Sequence, residues 1–356
     1  KEVDRLNFAH LPTRVEEFPR LTEYLNGPKI LVKRDDQTGL AFGGNKTRKL
    51  EFLIAEALSQ GAKTLITGGA LQSNHCRQTA AAARRFGLDC ILVLNGEMPD
   101  KPSANLLLDQ LFGAEIVTIK DRALRDQTLQ QTYDKAVADG RKPYLVWYGG
   151  SSPTGALGYA FAMKEFLEQS VQADWIVFGT SSGGTHAGLV LGQRVFGYPG
   201  KVLGISIDEP EEWLKRRVSS LASDASEKLG DRIDFSGEDV LANEEYCKAG
   251  YGVLTDTERE AVRLFAKFLS RTTSCMPNRR TGVLIAGVPA MSSDTFPSGA
   301  IVLRPCPRIV TSMLPDGRKA RPQAFGSPEA MESTLYFCVL ATRGARVWSG
   351  NMGAGR

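Results

Sequence analysis

The chain's chemistry is concentrated in a lysine at a helix start, a glycine-rich loop and a polar turn. The lysine is Lys46, in Phe42-Gly43-Gly44-Asn45-Lys46-Thr47-Arg48-Lys49-Leu50-Glu51. Leu50, Leu53, Ile54, Ala57 and Leu58 recur at the spacing of one helix face. Asn45 fits the cap position, where its side-chain oxygen accepts from an unpaired amide of the first turn. Lys46 then lies at the positive end of the helix dipole, which disfavours an added proton. A neutral lysine amine attacks carbonyls, as Schiff-base formation requires. The plainer reading makes Lys46 a solvated lysine in a basic first turn, with Arg48 and Lys49 beside it.

The glycine-rich stretch runs from Gly179 through Thr180, Ser181, Ser182, Gly183, Gly184, Thr185 and His186 to Gly188, between a strand and a helix. Glycines let successive amides converge and the helix start adds its dipole, which suits a phosphate dianion. Ser181, Ser182 and Thr185 add hydroxyl donors. The spacing is neither Gly-x-Gly-x-x-Gly nor a loop ending in Gly-Lys-Ser/Thr, so a monophosphate is expected. The alternative, a tight strand-to-helix turn, needs one glycine rather than a cluster.

Gln72, Ser73, Asn74 and His75 crowd four polar side chains at a second helix start, after Thr67-Gly68-Gly69. Ser73 beside His75 can act as nucleophile or proton carrier, or Ser73 or Asn74 can simply be a cap. A third turn, Tyr148-Gly149-Gly150-Ser151-Ser152-Pro153-Thr154-Gly155, either closes over a ligand or starts a helix at Pro153. An activated lysine, a monophosphate cradle and a polar turn on one chain point to pyridoxal 5'-phosphate, its aldehyde on the lysine and its phosphate in the glycine loop.

The elements that must hold these groups alternate. Strands are expected at 29–33, 64–67, 90–94, 116–119, 144–148, 175–178 and 202–207. Helices are expected at 15–25, after Lys46, and at 74–86, 104–112, 124–138, 154–169, 185–193, 211–225 and 256–269. Such alternation predicts an α/β fold of two doubly wound parallel-sheet lobes, with ligands beyond the carboxyl ends of the strands. The expected division is a larger cofactor-phosphate domain of residues 1–45 and 161–270, a smaller α/β domain of 46–160, and an atypical tail of 271–356.

At these motifs the sequence resembles the D-cysteine desulfhydrase and 1-aminocyclopropane-1-carboxylate deaminase family, pyridoxal-phosphate enzymes with a tryptophan synthase β-like fold. The resemblance rests on Lys33-Arg34-Asp35-Asp36, Gly43 to Glu51, Gln72-Ser73-Asn74-His75 and Ser182-Gly183-Gly184-Thr185, and runs from about residue 5 to about 270. It implies that Lys46 binds the cofactor aldehyde, that Asn74 bonds the ring hydroxyl and that Ser181 to Thr185 hold the phosphate. Ser73 would handle protons or attack the substrate, with Gln72, Ser73 and Asn74 lining its site. His75 leans towards the desulfhydrase branch. The implied reaction is β-elimination from a small amino acid such as D-cysteine, giving pyruvate, ammonia and sulfide. Aminocyclopropane carboxylate deamination and L-cysteate desulfonation are the alternatives within the family. An inactive cofactor-binding relative and a phosphosugar- or nucleotide-binding module are the alternatives outside it.

The resemblance breaks where the family carries an Asp-Pro-Val-Tyr-like segment and a His-Thr-Gly-Gly-like segment. Residues 271–356 hold 11 Lys and Arg against 4 Asp and Glu, while residues 1–270 hold 33 against 36. The tail also has eight of the 17 prolines and five of the seven methionines, with apolar runs only at 283–286 and 335–341. A shifted reading frame or another altered C-terminus is expected there, and the basic charge is not read as a nucleic-acid surface. Six scattered cysteines, without a Cys-x-x-Cys pair, argue against a zinc site or a disulfide framework. The 356 residues suffice for two cores, and no apolar run approaches the roughly 20 residues that span a bilayer. Without a secretion-signal pattern at the start, the expectation is a cytoplasmic homodimer acting on a small amino acid, with no metal, membrane or nucleic-acid partner.

Overall fold

The computed structural model describes residues 3–251, 253, 255–269 and 338–342. Strand β1 (Val15–Glu17) precedes helix α1 (Pro19–Leu25) and strand β2 (Lys29–Lys33). One helix over 15–25 is therefore not formed. Pro19 lacks an amide proton and suits the first turn of a helix rather than its interior, so the helix starts there. Then follow α2 (Lys46–Ser59), β3 (Thr64–Ala70), α3 (Asn74–Arg85), β4 (Asp89–Asn95) and α4 (Ala104–Leu111). Next come β5 (Glu115–Ile119), α5 (Arg125–Ala138), β6 (Pro143–Leu145), α6 (Pro153–Glu168) and β7 (Trp175–Thr180). The chain continues through α7 (Gly184–Phe196), β8 (Lys201–Ser206), α8 (Glu211–Leu229), β9 (Leu241–Asn243), α9 (Asp256–Leu269) and β10 (Cys338–Thr342).

β3 to β6 make a four-stranded parallel sheet in the order β5-β4-β3-β6. The chain builds outward from β3 and then crosses back to place β6 on the other side. The order reverses between β3 and β6, and a crevice opens beyond the carboxyl ends at such a point. The Gln72 turn leaves β3 there, and the Tyr148 turn follows β6.

The second sheet has six strands in the order β1-β2-β10-β7-β8-β9. β7, β8 and β9 run parallel, whereas β1, β2 and β10 pair antiparallel. This sheet is thus mixed rather than wholly parallel. The link from β1 to β2 carries only the seven-residue α1, too little for a parallel crossover. β10 lies in the apolar run at 335–341 and sets Val339 between Val32 and Val177. The rest of the tail expectation lies outside the described residues.

Both sheets bury two faces. Ile66, Ile91 and Val93 meet Leu129 and Ala136 of α5, while Leu65, Leu92 and Leu94 meet α2 and α3. Ile176 and Phe178 of β7 face a core with α6, α7 and α8, and Val177 joins Leu203 and Ile205 on the opposite face. Alternation along β7 is the period-two pattern of a strand covered on both sides. α7 presses on α6 through glycines one turn apart: a Cβ on Gly188 would collide with the Ala156 carbonyl, and one on Gly192 would lie 2.7 Å from Met163 Cβ. Gly158 does the same for α6 on α2, where a Cβ would stand 2.5 Å from the Arg48 carbonyl oxygen. These close crossings set α2 and α7, the helices that start at Lys46 and at the glycine loop, in one frame.

Candidate active site

Lys46 is the first residue of α2 and only 6% exposed. Burial, which penalises the charged ammonium, lowers its pKa to about 8. The amine is therefore poised as the helix-start position suggested, with desolvation as the leading cause. Asn45 does not cap α2: it has helical angles, makes no capping bond, and its Oδ1 accepts from Asn74 Nδ2 at 3.2 Å. A side chain drawn into a tertiary contact cannot also turn back on its own helix.

The approach to Lys46 is a strap of left-handed residues. Ala41, Phe42, Gly43 and Gly44 have φ of 46°, 72°, 78° and 129°. Left-handed geometry costs an L-residue roughly 1–2 kcal/mol, so Ala41 and Phe42 are held there by neighbours. Gly43 has no choice, since a Cβ would strike the Asp36 carbonyl. Thr38 Oγ1 donates to the Gly44 carbonyl at 2.7 Å and accepts from the Gly44 amide at 3.0 Å.

Across the crevice Ser73 caps α3, its Oγ accepting from the Cys76 amide at 3.3 Å. The cap reading of Ser73 is the one the structure shows. Gln72 is spent on α4: its Oε1 accepts from the Asn105 amide at 3.0 Å, and its carbonyl accepts from Asn105 Nδ2 at 2.7 Å. His75 meets Thr67 of β3. Thr67 Oγ1 donates to the Val146 carbonyl at 2.6 Å, so at 2.9 Å it accepts from His75 Nε2. That tautomer leaves the buried His75 Nδ1 as an acceptor with no donor among the described residues. Burial first, then the charges of Lys46 and Lys49, push the His75 pKa well below the ordinary range. His75 is a neutral imidazole.

The glycine loop closes on the third turn. Ser182 Oγ lies 2.7 Å from Ser151 Oγ, which also accepts from the Gly184 amide at 3.1 Å. A Cβ on Gly149 would stand 2.5 Å from Ser182 Oγ and 3.5 Å from Lys46 Nζ. A Cβ on Gly184 would stand 2.5 Å from Ser151 Oγ and 2.9 Å from Lys49 Nζ. Loop, third turn and both lysines therefore come together at one place, with glycine where a side chain would collide with its neighbours. Lys49 is 1% exposed and donates to the Gly149 carbonyl at 3.0 Å. Burial and the neighbouring Lys46 charge hold its pKa well below the ordinary value. Lys49 and Ser151 were not among the expected site residues. The three-residue step from Lys46 puts Lys49 on the same side of α2, a legible signal that a solvated basic turn explained away.

These residues fit a pyridoxal phosphate. The hydroxyls of Ser181, Ser182, Ser151 and Thr185, the amides at the α7 start and Lys49 would hold the dianion, and Lys46 would hold the aldehyde. Among the described residues no group of three or more His, Cys, Asp or Glu assembles as a metal site. No helix among them is long and apolar enough to cross a membrane.

Comparison with known proteins agrees. The family described as "Pyridoxal-phosphate dependent enzyme" matches residues 6–303. The chain belongs to that family. Within it, the D-cysteine desulfhydrases of Salmonella choleraesuis (strain SC-B67) and Salmonella typhimurium (strain LT2) are each 38% identical over 270 residues, 74% of this chain and 81% of theirs. The crystal structure of an ACC deaminase homologue matches with a TM-score of 0.69 and 34% identity, over 75% of this chain and 81% of that one. The crystal structure of a T.th. threonine deaminase shares the fold, with a TM-score of 0.52 and 19% identity over 74% of this chain and 82% of that one. This chain is accordingly a pyridoxal-phosphate enzyme with two α/β sheets.

Proposed function

We propose that the protein is a pyridoxal-phosphate lyase that carries out β-elimination on a small amino acid such as D-cysteine, releasing pyruvate, ammonia and sulfide. One observation carries this reading: the buried Lys46 amine, with a pKa of about 8, and the Ser182 hydroxyl of the glycine loop both come up against Gly149. The bound cofactor supplies an electron sink beside the substrate α-carbon. Lys46 Nζ takes up or returns the proton at that carbon. Ser73 Oγ faces the substrate and handles the second proton, Asn74 holds the ring hydroxyl, and Ser181 to Thr185 hold the phosphate. Gln72 pins the Ser73 turn against α4, and His75 ties the start of α3 to Thr67 of β3. Deamination of aminocyclopropane carboxylate and desulfonation of L-cysteate fit the same residues equally well. The segments of the family that would separate them fall beyond residue 270. A cytoplasmic homodimer remains the assembly we propose.

The test pairs a spectrum with a product assay. Protein mixed with pyridoxal phosphate should gain a near-visible band that Lys46→Ala removes, and should release pyruvate from one of D-cysteine, L-cysteate or aminocyclopropane carboxylate. A missing band sinks the enzyme reading. A band without pyruvate from any of the three makes the chain a cofactor-binding relative.

A further inference from the structure

Asn74, Arg77 and Gln78 stand on one face of α3, and all three reach the segment that delivers Lys46. Gln78 Oε1 accepts from the Thr47 amide at 2.8 Å and from the Thr47 hydroxyl at 2.9 Å. Asn74 bonds Asn45 as described. Arg77, 4% exposed, donates from Nη1 to the Ala41 carbonyl and from Nη2 to the Gly43 carbonyl at 2.9 Å. Those two carbonyls bracket Phe42, whose side chain is 69% exposed and cannot hold the strap by packing. The left-handed angles of Ala41 and Phe42 are thus kept by polar contacts, and the guanidinium fork spans both ends. The strap enters α2 three residues later, where the Lys46 amine is buried.

We propose that Arg77 is a positioning residue for Lys46: by pinning the carbonyls on either side of Phe42, it fixes the strap and with it the place and burial of the Lys46 amine. Arg77 touches neither substrate nor cofactor and acts through the strap. A lysine at this position can reach one carbonyl as a point charge but cannot reproduce the fork. The catalytic consequence rests on the function proposed above; the effect on the amine does not.

Competitive labelling of the cofactor-free chain with acetic anhydride across a pH series, read at the Lys46 peptide by mass spectrometry, tests the second part. The wild-type midpoint is expected near pH 8. Arg77→Met should move it up by about one unit, leaving roughly 10-fold less neutral amine at pH 7. Arg77→Lys should fall between. In the loaded enzyme, kcat should drop about 10–100-fold while KM changes far less, because a misplaced amine weakens chemistry more than binding. Midpoints and kcat at wild-type values in both variants overturn the proposal. If circular dichroism shows Arg77→Met unfolded, the Arg77→Lys midpoint decides alone: a rise supports the assignment and no change overturns it. If wild-type protein forms no cofactor band, the function fails and the labelling shift still decides the role of Arg77.

Discussion

At the scale of single residues, the site turns on two lysines one helical turn apart with depressed pKa values and one shared cause, burial. Lys46 would hold the aldehyde; Lys49, whose amine lies beside the α7 start, would face the phosphate. Lys49→Met should weaken pyridoxal phosphate binding about 10–100-fold, the size of a charge-assisted contact. Pyridoxal without its phosphate should lose little, and fluorescence titration with both ligands separates the two. Equal loss for both would place Lys49 elsewhere in the reaction. His75 is a different kind of residue: its neutral ring, bonded to Thr67, supports the turn and does not titrate near neutral pH.

Helices and turns convert those residues into a site by approaching more closely than side chains normally permit. Gly188 lets α7 lie on the backbone of α6, and α7 carries the phosphate loop at its start. Gly188→Ala should destabilise the fold by about 1–3 kcal/mol, the usual cost of overpacking, and should lower cofactor affinity because the loop moves with its helix. Denaturant unfolding followed with and without cofactor measures both. α4 holds a separate buried acid. Asp109 is fully buried, its carboxylate oxygens have no partner among the described residues, and burial raises its pKa to about 8 against the pull of Arg77. A folded-state pKa above the unfolded one means that the folded chain holds the proton more tightly. Stability should then fall as pH rises from about 4 towards 8. Asp109→Asn should lack that decline, so its melting temperature should exceed the wild type's by several degrees at pH 9 and by less at pH 6. Parallel melting curves for the two proteins would expose the wrong sign at once.

Across the whole molecule, one buried ionic network ties the opening segment, β2, α2 and α6 together. Arg48 bonds Asp35 through Nε and Nη2, both at 2.8 Å, and Glu165 at 2.9 Å. Lys33 joins Glu165 at 2.5 Å and the Thr13 hydroxyl at 2.8 Å, and Tyr159 donates to Asp35 at 2.8 Å. Burial alone would raise the Asp35 pKa, but Arg48 and Lys33 bring it down to about 2. With the folded value below the unfolded one, this stabilisation is present above about pH 4 and is lost as pH falls through about 2. Asp35→Ala should cost about 3–5 kcal/mol by leaving Arg48 partly unpaired in the interior. It should also flatten the acid limb of stability, which acid titration by circular dichroism would show.

Much of the architecture and chemistry was legible in the chain itself. Alternating strand and helix periods placed nearly every element, because hydrophobic spacing follows directly from which faces are buried. Lys46 and the Ser181–Thr185 loop, which the structure brings to the same turn at Gly149, stood out because glycines and hydroxyls clustered at helix starts have few other uses. What spacing could not carry was anything decided between distant segments. The use of Asn45 on Asn74 rather than on its own helix, the spending of Gln72 on Asn105, and the grip of Arg77 on the strap depend on contacts roughly 30 residues or more apart in sequence. Burial of Lys49 and the cause of the Lys46 shift were hidden for the same reason: desolvation is a property of the surrounding volume, and only the packing of α2 against α6 and the glycine turns creates that volume.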